Sequence, residues 1–243
     1  MSKVIELNLH RGEESEKRAR ISVSLRNVSR DCRREILSSY SYNALWLGQL
    51  TLKQYAELLY SHLRIRQHLE SLFESLDGTF NVVNLFNLEE KAFDVSQYVT
   101  QQRLKSTLLE RDIESLAKIH GVRCDVLPEK AEELINYMNR VHEVYSVALL
   151  GVLYMLEESI IYAGPRIGKA LDKHLSLHSE ATSYLDGHDN QKQTLWEFRK
   201  SLDLISDFQT QANIVIAATL SYRIYQDLLD PKASRLRHSR AVH

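Results

Sequence analysis

The sequence predicts an all-α protein, folded as a single bundle of about seven or eight helices. Over 243 residues there are only 8 glycines and 3 prolines, too few to punctuate a chain of short strands and turns. Apolar residues instead recur every three or four positions over long stretches, the period of one buried helix face. The strong turn signals, Asp77-Gly78, Gly121, Pro128 and Asp186-Gly187, fall between those stretches.

Taken in order, residues 1–20 mix Lys, Arg and Glu without apolar periodicity and read as a charged arm. Ile21, Leu25, Val28, Cys32 and Ile36 then mark a helix over Ile21 to Leu37. A loop rich in Ser and Tyr follows, with Gly48 near its end. Thr51 suits the N-cap of the next helix, since its hydroxyl can accept from a free backbone N–H. That helix carries the stripe Leu52, Tyr55, Leu58, Leu59, Leu63, Leu69, Leu72, Phe73 and Leu76. A connection covers roughly Thr79 to Asn87, and residues 88–119 are expected to form one or two helices closing at His120-Gly121. Pro128 fits the first turn of a helix starting near Glu129 and running to Ile161. Its second half, from Val147, is apolar on all sides, as the central helix of a bundle must be. Gly164-Pro165 predicts a break or kink, followed by helix from Arg166 to Leu177. Two more helices are expected over Gln191 to about Ile205 and Phe208 to Leu229. One domain thus spans 21–230, and 231–243 form a mobile basic tail.

Composition excludes several classes of function. Hydrophobic residues at 44% and charged residues at 26% are ordinary for a soluble globular protein. A net charge of −1 leaves no global attraction to nucleic acid or to an anionic membrane. The first twenty residues are too polar for a signal peptide, and the apolar run Val144 to Leu156 is too short to span a bilayer. Cys32 and Cys124 lack the spacing of a zinc or redox motif and fit a reduced compartment. The expectation is a cytoplasmic protein that binds neither nucleic acid nor membrane. No phosphate-binding glycine loop, nucleophile elbow or zinc-protease helix is present.

Three ordered segments resemble bacterial haem oxygenases. The first, Leu25-Arg26-Asn27-Val28-Ser29-Arg30-Asp31-Cys32-Arg33, is similar to that family's L-[RK]-x-x-T-x-x-x-H helix. It is followed, without a gap, by Gly48-Gln49-Leu50 and Tyr55. The second, Ala148-Leu149-Leu150-Gly151-Val152-Leu153-Tyr154-Met155-Leu156-Glu157-Glu158-Ser159, resembles the "A-x-L-G-x-L-Y-V-x-E-G-S" lead into the distal helix. The third pairs Tyr184-Leu185-Asp186-Gly187 with Trp196-Glu197-Phe198. The resemblance implies haem held between a proximal and a distal helix. It also implies a ferredoxin or flavoprotein reductase supplying electrons for cleavage to biliverdin, iron and carbon monoxide.

The sequence departs from that pattern in two places. Arg33 stands where the iron-ligating histidine falls, and a guanidinium has no lone pair to give a metal. Glu158, Tyr162 and Ala163 stand where distal glycines let the backbone approach the haem plane, leaving Gly164 nearby. The leading expectation is therefore a tetrapyrrole-sized pocket that binds haem or a bilin weakly, without histidine ligation, in a carrier, sensor or regulator. The alternatives are an active haem oxygenase with a non-standard proximal ligand and an interaction protein whose pocket is closed.

The candidate ligand-binding residues are Arg26, Arg33, Ser159, Tyr162, Gly164 and Arg199; none is assigned a catalytic or metal-binding role. Arg33 either pairs with a propionate or bilin carbonyl or is an exposed helix charge beside Arg30 and Arg34. Arg26, seven residues earlier, matches an often basic position, with a solvated arginine as its plain reading. Cys32 lies on the apolar stripe and reads as core. Ser159 and Tyr162 line a pocket or simply pack, and Trp196 and Phe198 read as core. His174 and His178, four apart, would share a helix face, yet no carboxylate set accompanies them as ligands. His62, His68 and His142 show no ligand spacing.

Overall fold

The computed structural model describes residues 20–37, 40–47, 49–76, 79–83, 90–94, 96–187 and 191–229, and nearly all of these lie in helices. Helices α1 (Ile21–Leu37), α2 (Tyr40–Trp46) and α3 (Leu52–Glu74) lead into strands β1 (Thr79–Val83) and β2 (Glu90–Asp94). Helices α4 (Ser96–His120), α5 (Glu129–Tyr145), α6 (Leu149–Leu175), α7 (Ser183–Asp186), α8 (Gln191–Leu202) and α9 (Phe208–Leu229) complete the chain. Among the described residues α1, α3, α4, α5, α6, α8 and α9 have twelve or more residues each. The all-α expectation thus holds. The charged arm over 1–19 and the basic tail from 231 lie outside the described residues.

Local chemistry explains several boundaries. Thr51 Oγ1 accepts from the Gln54 backbone N–H at 3.2 Å, and Gln54 Oε1 accepts from the Thr51 N–H at 2.9 Å, a reciprocal capping box. Helix α4 ends at His120, before Gly121, and Pro128 precedes the first turn of α5.

Four expectations need correction. The stretch expected to be loop before Gly48 contains α2, held because Leu45 is buried in the core. The expected connection and the start of a helix near residue 88 are instead an antiparallel hairpin, with Thr79 opposite Asp94 and Val83 opposite Glu90. Thr79-Phe80-Asn81-Val82-Val83 is rich in β-branched and aromatic residues, which favour extended backbone. The expected single helix from Glu129 is interrupted by a 3-10 turn at Ser146–Ala148. Conversely, α6 runs through Gly164-Pro165 without a break, although Pro165 has no N–H for the Ile161 carbonyl.

Helix α6 is the axis of the bundle. Its first half joins α1, α3, α5, α8 and α9 in one apolar cluster that includes Leu25, Phe73, Met138, Leu153, Phe198 and Ile214. Its second half packs with α2, α3, α4 and α7 around Leu59, Leu109, Ile167 and Leu185. By length and composition the stretch Glu129–Leu175 could cross a membrane, but 78% of its most apolar window is buried within the fold. Two glycines set how closely α6 is approached. A Cβ on Gly151 would run into the backbone of Ile214 and Ala218 on α9, and one on Gly164 would sit 2.5 Å from the Leu185 carbonyl oxygen. Gly164 is thus required by packing against α7.

Candidate functional site

A cleft opens where α1, α2, α3, α6 and α9 converge. Arg33, Ser159, Tyr162 and Gly164, four of the six sequence candidates, line it together with His62, Glu158, Tyr222 and Tyr225. Two of the positions that depart from the haem-oxygenase pattern face each other across it: Arg33 Nη2 lies 3.0 Å from Glu158 Oε1. Glu158 is buried, whereas the Arg33 side chain is 41% exposed and passes 5.6 Å from the centre of the Tyr162 ring. On its other oxygen Glu158 accepts the Tyr222 hydroxyl at 2.7 Å. Burial, and then the Glu158 charge, push the Tyr222 phenol well above its usual range, so it stays a donor. Arg33 is thus a partly exposed helix charge that is also ion-paired into the cleft. The space left between these side chains is about 50 Å³, room for a few waters.

The remaining candidates separate. Ser159 Oγ donates to the Leu156 carbonyl at 3.2 Å within its own helix. Arg199 reaches the cleft only through Tyr162: its Nη1 donates to the Tyr162 hydroxyl at 3.3 Å and its Nη2 to Tyr154 at 2.9 Å. Arg26 is exposed, donates to the Ser22 carbonyl one turn back, and does not line the cleft. Cys32 is core, its thiol pushed up by burial, and Gln226 donates to its carbonyl. Phe198 is core as expected, but Trp196 is 48% exposed with the Lys200 ammonium over its ring. His174 and His178 share no helix face, because α6 ends at Leu175 and His178 has φ +53°. Among the described residues no group of three or more His, Cys, Asp or Glu is placed to hold a metal ion.

Behind the cleft lies a buried polar cluster that the sequence reading missed. Arg66, fully buried on α3, donates to Glu157 at 3.0 Å, to Tyr184 at 2.8 Å, to the Leu156 carbonyl and to Gln102. Lys105 on α4 pairs with the other Glu157 oxygen. Burial alone would raise the Glu157 pKa, but Lys105 and Arg66 outweigh it and hold it down to about 2. Burial pulls Lys105 down to about 8 against the attraction of Glu157. Tyr184 in turn lies 3.0 Å from His62 Nδ1, and Tyr225 lies 3.1 Å from His62 Nε2. In either tautomer of the neutral imidazole one ring nitrogen donates and the other accepts, so the two tyrosines engage both. Asp112 fixes Tyr184 from behind, accepting its backbone N–H at 2.8 Å and that of Ser183 at 3.0 Å.

Burial, reinforced by the Arg66 charge, pushes the His62 imidazole down to about 3. An unfolded histidine titrates near 6.5, so between pH 6.5 and 3 the unfolded chain binds a proton that the folded one refuses. Stability is expected to fall on acidification through that window, by up to about 1.4 kcal/mol per pH unit from this group. Urea unfolding of wild type and His62→Gln between pH 6.5 and 5 checks this, above the range where carboxylates titrate. The wild type should show the steeper loss, and parallel slopes would exclude His62 as its source.

No protein-family model matches the sequence, and no curated protein matches it. Solved structures do. Heme oxygenase-1 from the cyanobacterium Synechocystis, in complex with heme, superposes with a TM-score of 0.71 at 12% identity, over 92% of this chain and 96% of that one. Heme oxygenase from Leptospira interrogans gives 0.71 at 14% identity, over 87% and 99%. A TenA homologue from P. horikoshii gives 0.58 at 12% identity, over 86% and 96%. With TM-scores of 0.71 and near-complete coverage of both chains, this chain has a haem-oxygenase-like fold.

Proposed function

We propose that this protein is a small-molecule-binding carrier, sensor or regulator that takes haem or a bilin-type tetrapyrrole weakly and without histidine ligation. One observation carries the reading: the Arg33–Glu158 ion pair ties α1 to α6 across the cleft. The residues present do not fit an axially ligated haem. Arg33 offers iron no lone pair. His62, the buried imidazole of the cleft, has both ring nitrogens engaged by tyrosines. The free space is far below the several hundred Å³ typical of a cofactor site. A tetrapyrrole must therefore part Arg33 from Glu158, and a buried carboxylate left without its cation resists that strongly. The proposed partner is accordingly a small molecule, with neither nucleic acid nor membrane required.

Haem titration of the purified protein, followed by absorption spectra before and after reduction, tests this. Weak binding with a high-spin spectrum is the expected result. Stoichiometric binding with a low-spin Soret band, and biliverdin accumulating with reductant, would overturn the reading in favour of an active oxygenase ligated by another residue.

A further inference from the structure

The carboxylate of Glu158 is 1% exposed and lies at the inner wall of the cleft. Tyr222 satisfies its Oε2. Its Oε1 receives no well-formed hydrogen bond from any described residue, although Arg33 Nη2 is 3.0 Å away. A buried carboxylate keeps its charge only opposite a cation. Here that cation is a side chain reaching in from α1, with 41% of its own surface in solvent and its guanidinium by the Tyr162 ring. Arg33 thus sits in the cleft much as a ligand would: a flat cation on a buried acid, beside an aromatic face.

From this arrangement we infer that the cleft binds an organic cation, a guanidinium, amidinium or ammonium on a flat apolar body, whose charged group replaces Arg33 at Glu158. The exchange is favourable in its electrostatics. Arg33 is already half in water and is solvated readily when it leaves, while Glu158 keeps a positive partner throughout. Leu45, Leu58 and Ile160 supply the apolar walls for the body of the ligand. An anionic ligand meets the opposite balance: recruiting Arg33 strands Glu158. The cleft therefore selects by sign of charge. This goes beyond the tetrapyrrole reading and does not rest on it: a propionate-bearing tetrapyrrole falls on the disfavoured side of the same balance, in keeping with weak binding.

The test uses the full chain and phenylguanidine as probe, with phenylurea as neutral isostere and benzoate as anion. In Arg33→Ala the internal guanidinium is gone, and phenylguanidine should bind at least about tenfold tighter than to wild type by calorimetry. Phenylurea and benzoate should show no such gain, and R33A/E158Q should lose it. If R33A does not fold alone, refolding with phenylguanidine but not with phenylurea supports the same conclusion. Equal binding of phenylguanidine and phenylurea, or a gain that survives E158Q, overturns the inference. So does an R33A protein that neither binds phenylguanidine nor folds in its presence. Haem titration of wild type is independent of each of these outcomes, so the two proposals fail separately.

Discussion

Glu157→Gln lowers stability by about 3–5 kcal/mol, because it leaves two buried cations with no anion between them. Arg66 is fully buried and Lys105 nearly so, and Glu157 is the carboxylate that both contact. The amide keeps the shape of the side chain and removes its charge, so the loss is electrostatic. For a protein of this size it corresponds to a melting temperature lower by about 6–20 °C. Two further results separate this account from a simple packing defect. Adding Lys105→Met to E157Q removes one stranded cation and should recover part of the loss. Raising the pH should do the same. In the wild type Glu157 holds Lys105 up against burial at about 8, and without that carboxylate it falls further. Below pH 8 the variant's unfolded chain therefore binds a proton that its folded state gives up, and the variant regains stability relative to wild type as pH rises. A melt of E157Q within about 1 kcal/mol of wild type at pH 7 would mean that the cluster contributes little.

Arg33→His with Glu158→Gly is expected to bind haem about 100-fold more tightly than wild type, with the spectrum of histidine-ligated iron. The double change restores the proximal ligand and one of the distal glycines. It supplies an imidazole on α1, and it removes the carboxylate that wild type must strand when the cleft opens. Arg33→His alone gains less, since Glu158 stays buried while its guanidinium partner is lost. Glycine within α6 costs about 1 kcal/mol of helix stability, small beside the expected gain in affinity. A double variant that folds but binds haem no better than wild type would show that the obstacle lies elsewhere in the cleft.

The fold was legible because α-helical bundles write their core into a three-to-four spacing. Ile21 to Leu37, Thr51 as N-cap, and Pro128 before Glu129 each announced a boundary that the structure keeps. What escaped was set by tertiary contacts. Helix α2 depends on the burial of Leu45, and the hairpin pairs a segment that alone reads as connection with one that reads as the start of a helix. The polar cluster did leave a trace. On α3 the buried seam runs Tyr55, Leu59, His62, Arg66, Leu69, Phe73, and on α4 it runs Gln102, Lys105, Leu109, Asp112, Leu116. Polar residues at consecutive seam positions of neighbouring helices must satisfy one another, and a reading that marks only apolar residues passes over them. The pairing of Arg33 with Glu158 was half visible: both positions stood out singly, and only their separation of 3.0 Å joins them.

Two of the three glycines of α6, Gly151 and Gly164, have a mechanical consequence. At Gly151 the backbone of α9 lies directly on α6, and at Gly164 the α7 turn does the same. Backbone seated on backbone leaves no side chain to rotate aside, so α6 cannot tilt or slide without lifting off two neighbours at once. That side of the cleft behaves as a fixed jaw. The facing wall is α1, joined to it at the cleft by one half-exposed arginine, and any guest larger than a few waters is admitted by displacing that side chain.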